Sequence, residues 1–176
     1  IKFSDIVNAY QTDRWQELQK TLPLHEALLS MAVTHLPNPM EAQKYRIPQI
    51  WKGDIDSEIG RAMVNCDPKG PTVICVTSAQ MDPQAGIVAT GRLYSGEVKQ
   101  GEQVYLVSER KDYRIQQVSM YMASFREVVD RIDAGNIAAL LGLDLARAGE
   151  TVVDFEHRDV MVPFERIKYV SQPVVT

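Results

Sequence analysis

The sequence predicts a mainly β fold with an α-helical N-terminal part. Three observations carry that expectation. Apolar residues recur at spacings of three and four up to Leu36, where Pro37 and Pro39 interrupt them. A cluster of turn formers, DPKGPT at 67–72, then marks a boundary. Beyond it the period changes to two, in the runs TVICVTSA, GIVATGRLY, EQVYLV, YRIQQVSMYM, NIAALLGL and ETVVDF. Short strands in succession, with no helical segment among them, favour a closed antiparallel barrel, because closure removes exposed sheet edges.

Taken in order, Ser4 can cap a short helix carrying Ile6, Val7 and Tyr10, and Asp13 with Gln16 forms a capping box for a second, carrying Trp15 and Leu18. Pro23 suits the first turn of a third, along which Leu24, Ala27, Leu28, Met31, Ala32 and Leu36 recur. Residues 40–56 show no sustained period and contain Pro48, Trp51 and Gly53, which predicts an extended connector with aromatic anchors. Ser57 caps a further short helix through Asn65. After the barrel runs, PFERIKYVSQPVVT reads as a linker entering another strand. Ile1 in place of methionine predicts that the chain begins inside a longer one.

Composition narrows the function classes. A chain of 176 residues can bury a substantial core, and 45% apolar with 24% charged residues is ordinary for a globular fold. A net charge of -4 disfavours a broad nucleic-acid-binding field while leaving room for a local basic patch. Cys66 and Cys75 are too few for a disulfide scaffold or a zinc knuckle, which points to a reduced, intracellular protein. No apolar run approaches the roughly 18 residues of a membrane span.

The chemical motifs are mostly negative. GRLYSGEV keeps the two glycines of a phosphate-binding loop but places Glu97 and Val98 where a lysine and a hydroxyl are needed, and a carboxylate there repels phosphate. Gly91 and Gly96 are instead expected to allow close approach or a bulge, and Gly101 a hairpin turn. Asp54, Asp56 and Glu58 alternate as in a calcium loop, but Ile59 and Asn65 fall where glycine and glutamate are required. DPKG has the DxxG form of a γ-phosphate sensor and, standing alone, reads as a turn. His25, His35 and His157 lack metal-ligand spacing. Arg92, Lys99, Arg110, Lys111 and Arg114, interleaved with Tyr94, Tyr105 and Tyr113, form a surface able to meet a ribose-phosphate backbone. Glu97, Glu102, Glu109 and Asp112 among them leave it nearly neutral.

Two segments resemble a known family. GRLYSGEVKQGEQVYLV is similar to the second-domain barrel of translational GTPases, and IDAGNIAALLGLDLARAGET to the later strand pair of the same barrel. PLHEALLSMAVTHLPNPMEAQKYRIPQIWKGD, NCDPKGP, RIQQVSMYM and KYVSQPVVT narrow the likeness to the archaeal translocase branch of that family.

The resemblance implies a domain II antiparallel β-barrel preceded by helices from the end of the GTP-binding domain. Residues 1–56 would be those helices and a connector, 57–165 the barrel, and 166–176 the start of domain III. It implies a cytoplasmic elongation factor that promotes GTP-dependent translocation. In the intact protein GTP and Mg2+ bind outside this piece, so this chain would hold no cofactor or metal, have no catalytic residue, and be inactive alone. The implied partners are the small-subunit ribosomal RNA, the GTP-binding domain and domain III of the same parent chain, and no membrane. Lys99, Arg110, Lys111 and Arg114 are the candidate ribosomal RNA contacts. A protein-binding scaffold in a ribosome-assembly or spliceosomal relative is the alternative.

Overall fold

The computed structural model describes residues 2–21, 23–83, 85–123 and 125–165. The chain divides into two compact units, Ile1–Asn38 and Pro39–Thr176. Among the described residues no helix is long and apolar enough to cross a membrane. The predicted strand within residues 166–176 lies outside the described residues.

The first unit holds three helices, α1 (Phe3–Gln11), α2 (Trp15–Thr21) and α3 (Leu24–His35). Ser4 does not cap α1. Lys2 occupies the cap position, and the Asp5 carboxylate in the first turn accepts its backbone N–H at 2.9 Å. Asp13 is likewise not a cap: with φ of 56° it sits in the turn between α1 and α2. α3 matches expectation in extent, and it buries none of its residues.

The second unit begins with a difference from expectation. Residues 39–50 form a helix, α4 (Pro39–Ile50), not an extended segment. Its buried positions are Gln43 and Ile47, one helical turn apart, and Trp51 follows at the next turn, 4% exposed. The Gln43 amide donates to the carbonyls of Met63 at 2.5 Å and Tyr94 at 2.8 Å. α5 (Glu58–Asn65) starts as expected, with the Ser57 hydroxyl accepting the Gly60 N–H at 3.1 Å. It ends at Cys66 in a left-handed conformation.

Among the described residues ten strands follow: β1 (Val73–Asp82), β2 (Gly86–Ser95), β3 (Glu97–Lys99), β4 (Gln103–Leu106), β5 (Lys111–Arg114), β6 (Gln117–Met122), β7 (Phe125–Val128), β8 (Arg131–Asp133), β9 (Ile137–Leu141) and β10 (Thr151–Asp154). Eight of them form an antiparallel sheet in the order β5-β4-β10-β1-β2-β9-β6-β7, and β3 pairs with β8 as a separate ribbon. The mainly antiparallel β architecture agrees with the prediction. Among the described residues the ladder does not close, and β5 and β7 remain its outer strands. The two halves of the sheet meet instead at one bend: Ile115 exchanges backbone hydrogen bonds with Gly101 and Glu102, and the Gln116 N–H donates to Leu141.

Strand alternation separates two cores. Ile74 and Val152 pair and face a main core with Leu93, Val98, Leu140 and Ile132. Val73 and Val153 pair one residue away and face a second core with Ile47, Trp51, Met63 and Phe164. Between the pairs Val76–Gly91 and Ser78–Thr90 the register shifts, which leaves Thr77 as a bulge in β1. A Cβ on Gly91 would lie 2.6 Å from the Cys75 carbonyl oxygen, so glycine permits this close approach.

Candidate functional site

The β3–β8 ribbon positions a recess of the second unit lined by charged residues of both signs. Its underside is apolar: Val98 pairs with Ile132, and both are buried in the main core. Period-two alternation then turns Glu97, Lys99, Arg131 and Asp133 to the other side. Like charges stand directly opposite, Glu97 across from Asp133 and Lys99 across from Arg131. Neighbours along and across the ribbon offset them. The Lys99 ammonium contacts the Glu97 carboxylate, and the Arg131 guanidinium lies 3.9 Å from Glu97 and 3.9 Å from Asp133. The Lys99 hydrogen bond, with the Lys99 and Arg131 charges behind it, holds the Glu97 carboxyl below its ordinary range.

The turn at 100–102 closes one side of the recess. Gly101 takes φ of 82°, and the Glu102 carboxylate accepts the Lys99 N–H at 3.0 Å. Burial pushes the Glu102 carboxyl up, against the lowering effect of that hydrogen bond. The turn after α5 closes the other side: the Asp67 carboxylate accepts the Lys69 N–H at 2.9 Å, which leaves the exposed Lys69 beside Gly70 and Thr72. The result is a recess of about 800 Å³ that gathers Lys69, Lys99 and Arg131 with Glu97, Glu102 and Asp133.

The four sequence candidates are distributed unevenly. Lys99 lines the recess. Arg114 adjoins it, its guanidinium donating to the Gly101 carbonyl at 2.9 Å and bordering a second groove with Asp112 and Tyr113. Arg110 sits in the β4–β5 turn with φ of 53°. Lys111 lies over the Tyr113 ring, 5.4 Å from its centroid. Strand alternation sets Lys111 and Arg114 on opposite faces of β5, since Lys111 pairs with the core residue Leu106 and Arg114 with the exposed Gln103. Lys69 and Arg131 were not among the candidates. Lys69 lay inside the DPKG turn, a readable signal, whereas Arg131 reaches Lys99 only through a pairing that spacing does not reveal.

The stretch 91–101 does not fit a nucleotide phosphate. The Gly96 amide donates to the Asp67 carbonyl and the Gly101 amide to the Ile115 carbonyl, each at 2.8 Å, so both donors are already taken up by backbone. Three carboxylates also stand against three cations in the recess. Among the described residues there is no group of three or more metal-ligating side chains. Asp54 instead orders its own turn, accepting the Asp56 N–H at 3.0 Å. His157 is held by Asp154, 2.6 Å from its Nδ1. Cys66 is buried and Cys75 half-buried, and burial raises both thiols above their ordinary range.

Comparison with known proteins places this geometry. The family described as Elongation factor Tu domain 2 matches residues 86–153, from the start of β2 into β10. Over its whole length the chain is 57% identical to Elongation factor 2 of Staphylothermus marinus, 54% to that of Desulfurococcus amylolyticus and 52% to that of Sulfurisphaera tokodaii. It spans 24% of the length of each of these relatives. On that likeness across every residue, the chain belongs to the elongation factor 2 family.

Proposed function

We propose that this chain is the docking and relaying part of an elongation factor that promotes GTP-dependent ribosomal translocation. Residues 1–56 act as the last helices of the GTP-binding domain with its connector, 57–165 as the second-domain barrel, and 166–176 as the start of domain III. The parent protein binds GTP and Mg2+ outside this piece and works on the ribosome in the cytoplasm. The observation that carries the reading is the whole-length identity to Elongation factor 2 relatives. A β-rich unit with two packed cores suits a rigid body that leans on RNA and passes on domain rotation.

The basic side chains around the Gly101 turn are the proposed contact with small-subunit ribosomal RNA, with Lys99 and Arg114 nearest the recess and Arg110 and Lys111 on the neighbouring hairpin. Phosphate contacts made by lysine and arginine release counterions, so binding weakens as salt rises. The test is binding of this chain to small ribosomal subunits across a salt series, with Lys99, Arg110, Lys111 and Arg114 reversed to glutamate. The reversed set should bind more weakly and with a shallower salt slope. An unchanged slope would move the contact elsewhere and favour the protein-scaffold reading.

A further inference from the structure

The second core does more than cover the outside of β1 and β10. It joins two parts of the chain that flank the strands: α4 before β1 and residues 161–165 after β10. Trp51, one turn beyond Ile47, donates its indole N–H to the Val162 carbonyl at 2.6 Å, a contact across 111 residues of sequence. Met161 and Phe164 are buried in the same cluster as Ile47 and Trp51. The Phe164 ring meets Tyr94 of β2 with centroids 5.2 Å apart, and its backbone N–H donates to the Thr151 hydroxyl of β10 at 2.9 Å. At the rim, Lys52 and Glu165 pair at 3.5 Å, both well exposed, so this ion pair adds little. Gln43 fixes the other end of the helix through its two donated hydrogen bonds to Met63 and Tyr94.

We propose that Trp51 and Phe164 form a clip that holds the incoming helix α4 and the outgoing segment 161–165 as one rigid piece on the outer face of the barrel. The two segments then move together, as one body seated on β1, β2 and β10. The clip is apolar at its centre and hydrogen-bonded at its indole edge, which suits a joint that must hold a fixed angle. Its direction follows from the sheet: Val73 and Val153 face the clip while their neighbours Ile74 and Val152 face the barrel core, so the two packings share strands but not side chains.

Hydrogen exchange on this chain tests the clip, with conservative variants that keep the fold. Trp51→Phe removes the indole donor and Phe164→Leu removes the ring. Each should speed exchange in both 39–50 and 161–165 by about threefold to tenfold, and the double variant should fall short of the product of the two. Amides of β1, β2 and β9 should keep their protection. Changes confined to the mutated segment, or effects that simply multiply, would overturn the proposal, and so would an equal loss of protection in β1, β2 and β9. The idea rests on the relaying role proposed above, but exchange reads the clip alone while ribosome binding reads that role, so the two can fail separately.

Discussion

Gly96 shows what one residue without a Cβ contributes to this site. It takes φ of 76°, and an added Cβ would stand 2.5 Å from the Thr72 Cα, against backbone that cannot swing aside. Gly86 has a similar φ of 80° with nothing within 4 Å. Gly96→Ala should therefore cost about 2–4 kcal/mol, left-handed strain plus overpacking, and Gly86→Ala only about 1–2 kcal/mol. Chemical denaturation of the two variants separates them, and equal losses would contradict the close approach. Glu102 gives a residue-scale dependence on pH. Its carboxyl is raised by burial, so the folded chain holds this proton longer than the unfolded chain does. Its contribution to stability is fully present below about pH 4.5 and is lost as pH rises through the raised folded value. Glu102→Gln should therefore gain stability over the parent at neutral pH and not near pH 4.5, measured by thermal unfolding at both.

At the scale of elements, the β3–β8 ribbon is held from below. Its ion pairs lie on an exposed face, with Lys99 at 50% and Arg131 at 62% side-chain exposure. Val98 and Ile132 beneath them are 0% and 2% exposed. Ile132→Ala should cost about 2–5 kcal/mol by leaving a cavity, while Arg131→Ala costs under about 1 kcal/mol. Unfolding midpoints would reverse that order only if the charged face held the ribbon. The same contrast explains which elements sequence pattern reveals. β2 shows as alternation and β1, β9 and β10 as apolar runs, because β1, β9 and β10 bury side chains on both faces. β3 and β8 have three residues each, too few for a period to register. α4 was hidden by chemistry: its stripe runs Gln43, Ile47, Trp51, and a glutamine at a buried position breaks the apolar pattern although it is fully used as a donor. Pro48 near its end adds a false stop signal.

For the molecule as a whole, the candidate site was half legible. Lys99 and Arg114 do come together around Gly101, because hairpin spacing in sequence translates directly into neighbourhood in space. Arg131 and Lys69 arrive from distant segments through sheet pairing and a helix-exit turn, which no local spacing encodes. The carboxylates were visible in sequence as a neutralising background, and the structure makes them partners of particular cations, Glu97 above all. As the proposed docking face, the recess would gain its preference from arrangement and not from net charge.

The most direct test of that docking face uses distance along one strand. Gln100 is exposed in the recess, and Met81, 73% exposed, lies at the far end of β1 from Thr72, which lines the same recess. At roughly 3.3 Å per residue the strand separates the two ends by about 30 Å. A hydroxyl-radical probe tethered through Gln100→Cys, on a chain in which the half-buried Cys75 is replaced by alanine and Cys66 is shielded by burial, should cleave small-subunit ribosomal RNA in the bound complex, and the same probe at Met81→Cys should cleave it far less. Stronger cleavage from Met81, or none from Gln100 in a complex that forms, would contradict the account.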